Sequence, residues 1–326
     1  MQMDNSLPAP VDGSPPWRSQ KARSFWDDAV YRFRRNWMGM FGLVVFVILC
    51  ITALFAEQLA PYDYLHQDWD AILQPPSAAH IMGTDDVGRD VFSRILMGGR
   101  TALMVALCIT VAGAIIGLLA GSIGAYLGGK VDAVLVWIMD GLMSFPTIWL
   151  AAFLSVAVAP ALNEWAASLY TITQWSFLKD EVLISYGVVV LAIGMLNWTW
   201  PARLVRSQVL SLREREFVEA TRSLGASAGW VIRHHLVPNV LGSMIVLVTL
   251  SFGNAMLFEA SLSFLGIGIR PPGASWGAMI FQGVARVRTH AYLVLAPGIT
   301  LAVVVLSLQF LGDALNDALN PRHRNG

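Results

Sequence analysis

Charge is scarce in this chain. Of 326 residues only 13% are Asp, Glu, Lys or Arg, against 56% hydrophobic, and the mean hydropathy is +0.57. Soluble domains carry about a quarter of their residues as charges, so a water-exposed globular enzyme is excluded and no nucleic-acid partner is expected. Cysteine is scarcer still: Cys50 and Cys108 lie in apolar runs without CxxC spacing. They offer neither a disulfide framework nor a metal site and are expected as buried thiols. His234 and His235 are adjacent, so on a helix they point about 100° apart, cannot ligate as an i, i+4 pair, and are expected to be solvated. The chain has no GxxxxGK[ST] and thus no phosphate-cradling loop, so it is expected to bind no cofactor itself.

What the chain does have is long apolar runs. They recur at about 37–56, 101–127, 131–158, 184–200, 239–262 and 291–312, each near the ~20 residues a helix needs to cross a bilayer. Six spans and an all-α, polytopic membrane fold follow. The first run lies behind a long polar stretch rather than a short basic leader, so it is expected to remain as a span.

With the N-terminus inside, fifteen of the 22 basic residues fall on the cytoplasmic side. These are Arg18, Lys21, Arg23, Arg32, Arg34, Arg35, Lys130, Arg203, Arg206, Arg213, Arg215, Arg222, Arg233, Arg322 and Arg324. That positive-inside bias predicts that both termini and the 201–238 segment are cytoplasmic. The first outer loop collects Glu57, Asp63, Asp68, Asp70, Asp85, Asp86 and Asp90, which suits a surface outside the cell.

Four regions result. Residues 1–23 are mostly polar and aperiodic, hence disordered. Residues 24–100 hold an amphipathic basic helix that Ser24 and Asp27 can start, the first span and an outer loop whose second half turns helical. Residues 101–312 form a five-helix core containing the 201–238 loop, and 313–326 a tail. Gly113, Gly117 and Gly121, four apart on the second span, predict close helix packing. In the third span Asp140 sits about nine residues in, roughly 14 Å deep, and Pro146 follows; so costly a charge must face protein or water. Glu259, late in the fifth span, is expected near the outer interface in reach of water. Asp140, Pro146, Asn254 and Glu259 are the candidates for a translocation path or gate.

The richest stretch is EFVEATRSLGASAGWVIRHHLVP, residues 216–238. Ser211 and Glu214 form a capping-box pair that can start a short helix, and Gly225 supplies a left-handed stop. Ser227 can cap a second helix, which Pro238 ends while opening the fifth span. Gly225-Ala226-Ser227-Ala228-Gly229 also matches the G-x-S-x-G nucleophile elbow, with Asp313 and His323 in hydrolase order. That elbow needs a strand before the serine, and a charged helix stands there instead.

Glu219-Ala220, then Gly225 and Pro238, resemble the EAA loop of ABC importer permeases. FRRNWMGMFGLVVF, APYDY, MGTDDVGRDVFSRILMGGR, MDGLMSFP, EASLSFLGIGIRPPGASWGAM and LGDALNDALNPR occur in order. Together they resemble the C-type permease subunit of dipeptide and oligopeptide importers from about residue 24 to 322. The resemblance implies a type I importer permease in the bacterial inner membrane. It implies ATPase coupling through Glu216, Val218, Glu219, Ala220, Arg222, Gly225, Ala226 and Pro238. It also implies a B-type permease partner, two ABC ATPases or one two-headed ATPase carrying ATP and Mg, and a periplasmic or lipid-anchored solute-binding protein. Thr221 stands where a second Ala is usual, HHLVPN where HILPN-like text is usual, and the outer segment 160–183 is long for the family. Nickel-chelate, glutathione and oligosaccharide importers share the framework. The rival class, an autonomous secondary transporter, calls for internal repeats and broken midplane helices, and apart from Pro146 the chain has little of either.

Overall fold

The computed structural model describes residues 25–319. The expected disorder of 1–23, the Ser24 cap and Arg18, Lys21, Arg23, Arg322 and Arg324 lie outside them. Helix α1 (Phe25–Arg35) joins α2 (Trp37–Leu54) through Asn36, whose side-chain oxygen accepts from the Gly39 amide at 3.1 Å. This N-cap lets α2 start at a fixed angle. Gly39 and Gly42 then lie flush on α13 (Tyr292–Leu319): a methyl on either would overlap Ala314 or the Ser307 carbonyl.

After the single turn of α3 (Ala56–Leu59) the chain runs irregularly to residue 90. Its acidic residues are not all surface. Asp85 and Asp90 are buried. Asp85 accepts the Val87 and Arg89 amides and the Arg89 Nε at 2.7 Å. Asp90 accepts from the Ser93 amide at 2.8 Å, capping α4 (Val91–Leu127), and holds His80 Nδ1 at 3.0 Å. Each carboxylate thus satisfies backbone donors that an irregular loop would otherwise leave unpaired.

Helix α4 is 37 residues long, about 55 Å at 1.5 Å per residue. Three of its glycines, at 113, 117 and 121, receive α7 (Glu181–Asn197) and α8 (Thr199–Leu212). Gly113 faces Asn197, Gly117 faces Pro201, and Gly121 faces Ala202 and Val205. Lipid tails give helices no hydrophobic reason to associate, so such close backbone approach supplies the contact instead.

The expected span at 131–158 is not one helix. It divides into α5 (Gly129–Met143) and α6 (Thr147–Thr173), broken at Ser144–Pro146, because Pro146 donates no amide hydrogen and forces its predecessor out of helical geometry. The continuous apolar composition hid this break. Asp140 therefore lies in the last turn of a 15-residue helix that is too short to span by itself. Helix α6, with 27 residues, is about 40 Å long, against a hydrocarbon core of about 30 Å. Its excess is the long outer segment, which continues helical to Thr173 before Gln174 turns the chain at φ 57° and Asp180 caps α7.

Beyond the loop helices α9 (Glu216–Ser223) and α10 (Ala228–Val231) come α11 (Val237–Phe264), the short α12 (Trp276–Val284) and α13. Among the described residues six helical stretches are long and apolar enough to cross a membrane: Trp37–Leu54, Val91–Leu127, Thr147–Thr173, Glu181–Leu212, Ala228–Phe264 and Tyr292–Leu319. Cys108 is exposed on the apolar outside of α4, and Cys50 is half-buried. The expectation of two buried thiols fails because a lipid-facing surface is as apolar as a core.

Replacing Gly117 by Leu should separate α4 from α8, since even a bare Cβ would approach Pro201 Cβ to 2.5 Å. A loss of at least 1–3 kcal/mol, roughly the cost of overpacking, is expected. It would read as a lower melting temperature in detergent, whereas Gly141→Ala, with open space at its Cβ, should melt like the parent.

Candidate functional site

The 213–238 segment is a helix, a tight turn and a second helix, with three differences from the sequence expectation. Ser211 lies inside α8, and Arg215 is the N-cap of α9, without a side-chain cap bond. Ser227 takes the N-cap backbone conformation of α10, also without a side-chain bond. Pro238 does not end the second helix. A π-turn at Ile232–Leu236 carries α10 into α11, and Pro238 sits in the first turn of α11, where its missing N–H costs little. The second loop helix and the fifth span form one continuous rod. Gly225 has φ +86°, and no atom lies within 4 Å of the place a Cβ would take, so its requirement is conformational rather than steric.

The loop has a buried side and an exposed side. Val218, Val231 and Leu236, all 0% exposed, pack with Ala125 of α4, Val205 and Val209 of α8 and Val240 of α11. Each buried valine or leucine contributes roughly 1.5–3 kcal/mol against an exposed reference, so the loop is fixed to three spans. Ala226 is half-buried on the same cluster. Glu216, Glu219, Ala220, Arg222 and Gly225 are exposed, as is Pro238. Leu224 stands 89% exposed at the tip, beside half-exposed Phe217 and Trp230; sequence reasoning passed over these three apolar residues because they looked like core. His235 is half-buried, its Nε2 3.2 Å from the Thr221 hydroxyl and its ring against Phe217 and Trp230. The histidines are therefore not simply solvated: His234 stacks on Trp230 at 4.5 Å. Thr221 ties the first loop helix to the second through this contact.

Arginines on α8 hold the loop end of the bundle. Arg206 grips Asp132 of α5 with Nε–Oδ1 at 2.6 Å and a second nitrogen to Oδ2 at 2.7 Å. This two-pronged bond holds the Asp132 carboxyl below the usual carboxylate range. Arg203 meets Asp140 at 2.5 Å, and Arg213 donates to the Ala125 carbonyl at 2.7 Å, closing the end of α4.

Between α5, α6, α7, α8, α11 and α13 opens a cavity of about 790 Å³. Of the four path candidates only Asn254 lines it, with Asn197, Ser251, Ser261 and Gln309 as further polar lining and leucines, Phe258 and Trp200 between them. Asp140 and Pro146 lie beside it at the α5–α6 break. Glu259, expected to reach water, is 1% exposed. Its Oε1 accepts from Ser263 at 2.8 Å and Ser275 at 2.7 Å, fastening the end of α11 to the start of α12. The spacing of Ser263, one turn after Glu259, was a visible signal; Ser275, across the intervening loop, was not.

Among the described residues, six helices long and apolar enough to span, a helical loop packed on the bundle and a cavity of about 790 Å³ define a multi-pass membrane protein of permease type. The chain belongs to the family of binding-protein-dependent transport system inner membrane components, which residues 113–325 match. Residues 24–76 match the N-terminal TM domain of oligopeptide transport permease C. The chain is 34% identical to the dipeptide transport system permease protein DppC of Alkalihalophilus pseudofirmus, over 98% of this chain and 97% of that protein. It is 33% identical to the oligopeptide permease OppC of Bacillus subtilis, over 94% and 92%. To the glutathione permease GsiD of Escherichia coli it is also 33% identical, over 96% of each. It is thus an inner-membrane permease subunit of an ATP-driven, binding-protein-dependent importer.

The Asp132–Arg206 pair gives a pH signature. A carboxyl held below its unfolded pKa of about 3.9 stabilises the fold above that pH, and the contribution is lost as pH falls through the lower folded value. Between neutral pH and about pH 3, Asp132→Asn should therefore show a smaller fall in melting temperature than the parent. A double-mutant cycle with Arg206→Gln at pH 7 should give a coupling of about 1 kcal/mol; a coupling near zero would show that the pair holds nothing.

Proposed function

We propose that this chain forms half of the translocation path for peptides handed over by a solute-binding protein, and that partner ATPases drive it through the 213–238 loop. The observation that carries the reading is mechanical. From Ala228 the second loop helix runs through the π-turn into α11 without a break, and α11 is the helix that offers Asn254 to the cavity. A push on the second loop helix therefore reaches the cavity wall without passing through a flexible link.

In this reading the loop faces the cytoplasm with both termini, which the positive-inside bias of the basic residues supports. Exposed Glu219 offers a carboxylate for charge-assisted hydrogen bonds from a basic groove of the ATPase, while Leu224 and Phe217 supply apolar contact. Val218 stays out of that interface and anchors it from behind. A B-type permease subunit supplies the other half of the path, two ABC ATPases or one two-headed ATPase bind ATP and Mg, and a periplasmic or lipid-anchored solute-binding protein delivers cargo. ATP-driven closure of the ATPases draws the two docked loops together and tilts the spans until the cavity opens outward. The dipeptide and oligopeptide relatives favour peptide cargo; the glutathione relative keeps a small peptide conjugate as the second reading.

Gly225→Val should reduce transport by more than tenfold at equal membrane abundance, because a β-branched residue at φ +86° resists the turn by roughly 1–2 kcal/mol or more and redirects Leu224. Glu219→Ala should act in the same direction but several-fold at most. Affinity of the binding protein for cargo should not change in either. Parental transport and cargo-stimulated ATP hydrolysis in Gly225→Val would sink the coupling role.

The topology is checked separately. Ser227→Cys, in a background without Cys50 and Cys108, should resist a membrane-impermeant thiol reagent in intact cells and react after permeabilisation. Labelling from outside would reverse the orientation.

A further inference from the structure

We propose that the half-path carried by this chain is indifferent to the charge of its cargo and engages it through neutral amide and hydroxyl groups alone. The inference rests on the cavity being half of the path. None of the seventeen residues that line it is Asp, Glu, Lys, Arg or His. The ionic group closest along the chain, Glu259 beside Phe258, is not among the lining residues, and its Oε1 is engaged by Ser263 and Ser275; Asp140 and Arg203, two and three residues from Leu142 and Trp200, engage each other at 2.5 Å.

The polar lining divides by what it is free to do. The Thr199 and Ser261 hydroxyls are spent on the Leu196 and Leu257 carbonyls of their own helices, and the Asn197 amide nitrogen is buried against Gly113. Ser251 and Asn254, three apart on α11 and so on one face, and Gln309 on α13 keep their side-chain hydrogen-bonding groups unengaged among the described residues. An Asn or Gln amide both donates and accepts, which matches a peptide unit whatever side chain it carries. A fixed charge at the same wall would act differently. At a few ångströms and an intermediate dielectric it would favour cargo of opposite sign by about tenfold or more.

The test uses the full complex in proteoliposomes, with saturating binding protein preloaded with Ala-Ala-Ala, Ala-Lys-Ala or Ala-Glu-Ala, so that binding-protein selection is removed from the rate. Asn254→Leu should slow all three peptides by one common factor, roughly three- to tenfold for a lost neutral hydrogen bond. Asn254→Asp and Asn254→Lys should shift the ratio of Ala-Lys-Ala to Ala-Glu-Ala rates by about tenfold in opposite directions. If Asn254→Leu slows one charge class more than threefold beyond the other, or if the charged variants alter rates without regard to sign, charge indifference is overturned while the path reading stands. If none of the three variants, at parental abundance, changes any rate, the path reading itself falls.

Discussion

Everything mechanical in this subunit depends on one small apolar seam. Val218, Val231 and Leu236 close over Ala125, Val205, Val209 and Val240 without exposed surface. Four of these seven are on the long helices around the loop and three are on the loop itself, so the seam turns a polar connection into part of the bundle. Beside the seam, Arg213 ties the start of the loop to the Ala125 carbonyl at 2.7 Å, and the Thr221–His235 contact at 3.2 Å joins its two helices to each other. Dry burial is strong here because the seam lies beside water-accessible loop surface, where the hydrophobic effect operates; among the spans themselves it does not.

The spans use other means. Glycines admit backbones where hydrophobicity gives no reason to associate, with Gly39 and Gly42 on α13 and Gly117 and Gly121 on α8. Several charges on or beside the bundle are paired: Asp132 with Arg206, Asp140 with Arg203, Asp85 with Arg89. Glu259 is instead buried without an ion pair, its Oε1 held by two serine hydroxyls. Such a group fixes position rather than adding stability, since an apolar replacement would remove a desolvation cost as well as two hydrogen bonds. Its effect is to register the loop between α11 and α12, which in turn seats Trp276 on the Ile95 carbonyl at 3.0 Å.

How much of this could be read from the chain depended on whether the signal was local. Five of the six spans were legible as apolar runs, and so were the left-handed Gly225 and the packing role of the α4 glycines, because each is a property of a residue and its near neighbours. The break at Pro146 was visible as a residue but not as a consequence: an apolar run continued through it, and hydropathy weighs side chains, not amide hydrogens. The partners Arg203 for Asp140 and Ser275 for Glu259 are 63 and 16 residues away, beyond any spacing rule. Leu224 and Trp230 illustrate the opposite failure, since an apolar residue in a membrane protein carries no sign of whether it meets core, lipid or a partner.

The same ambiguity explains why the cavity went unread. Its wall comes from six helices, with the neutral polar residues spread over five of them among leucines, and no single segment is polar enough to announce a path. A path built this way keeps every contributing helix apolar enough to insert, because Asn, Gln and Ser are cheaper in a bilayer than an ionised group. The polarity needed for cargo appears only when the helices assemble. A subunit of this design cannot reveal its path before it folds, and the cavity's remaining open side is what a second permease subunit would have to close.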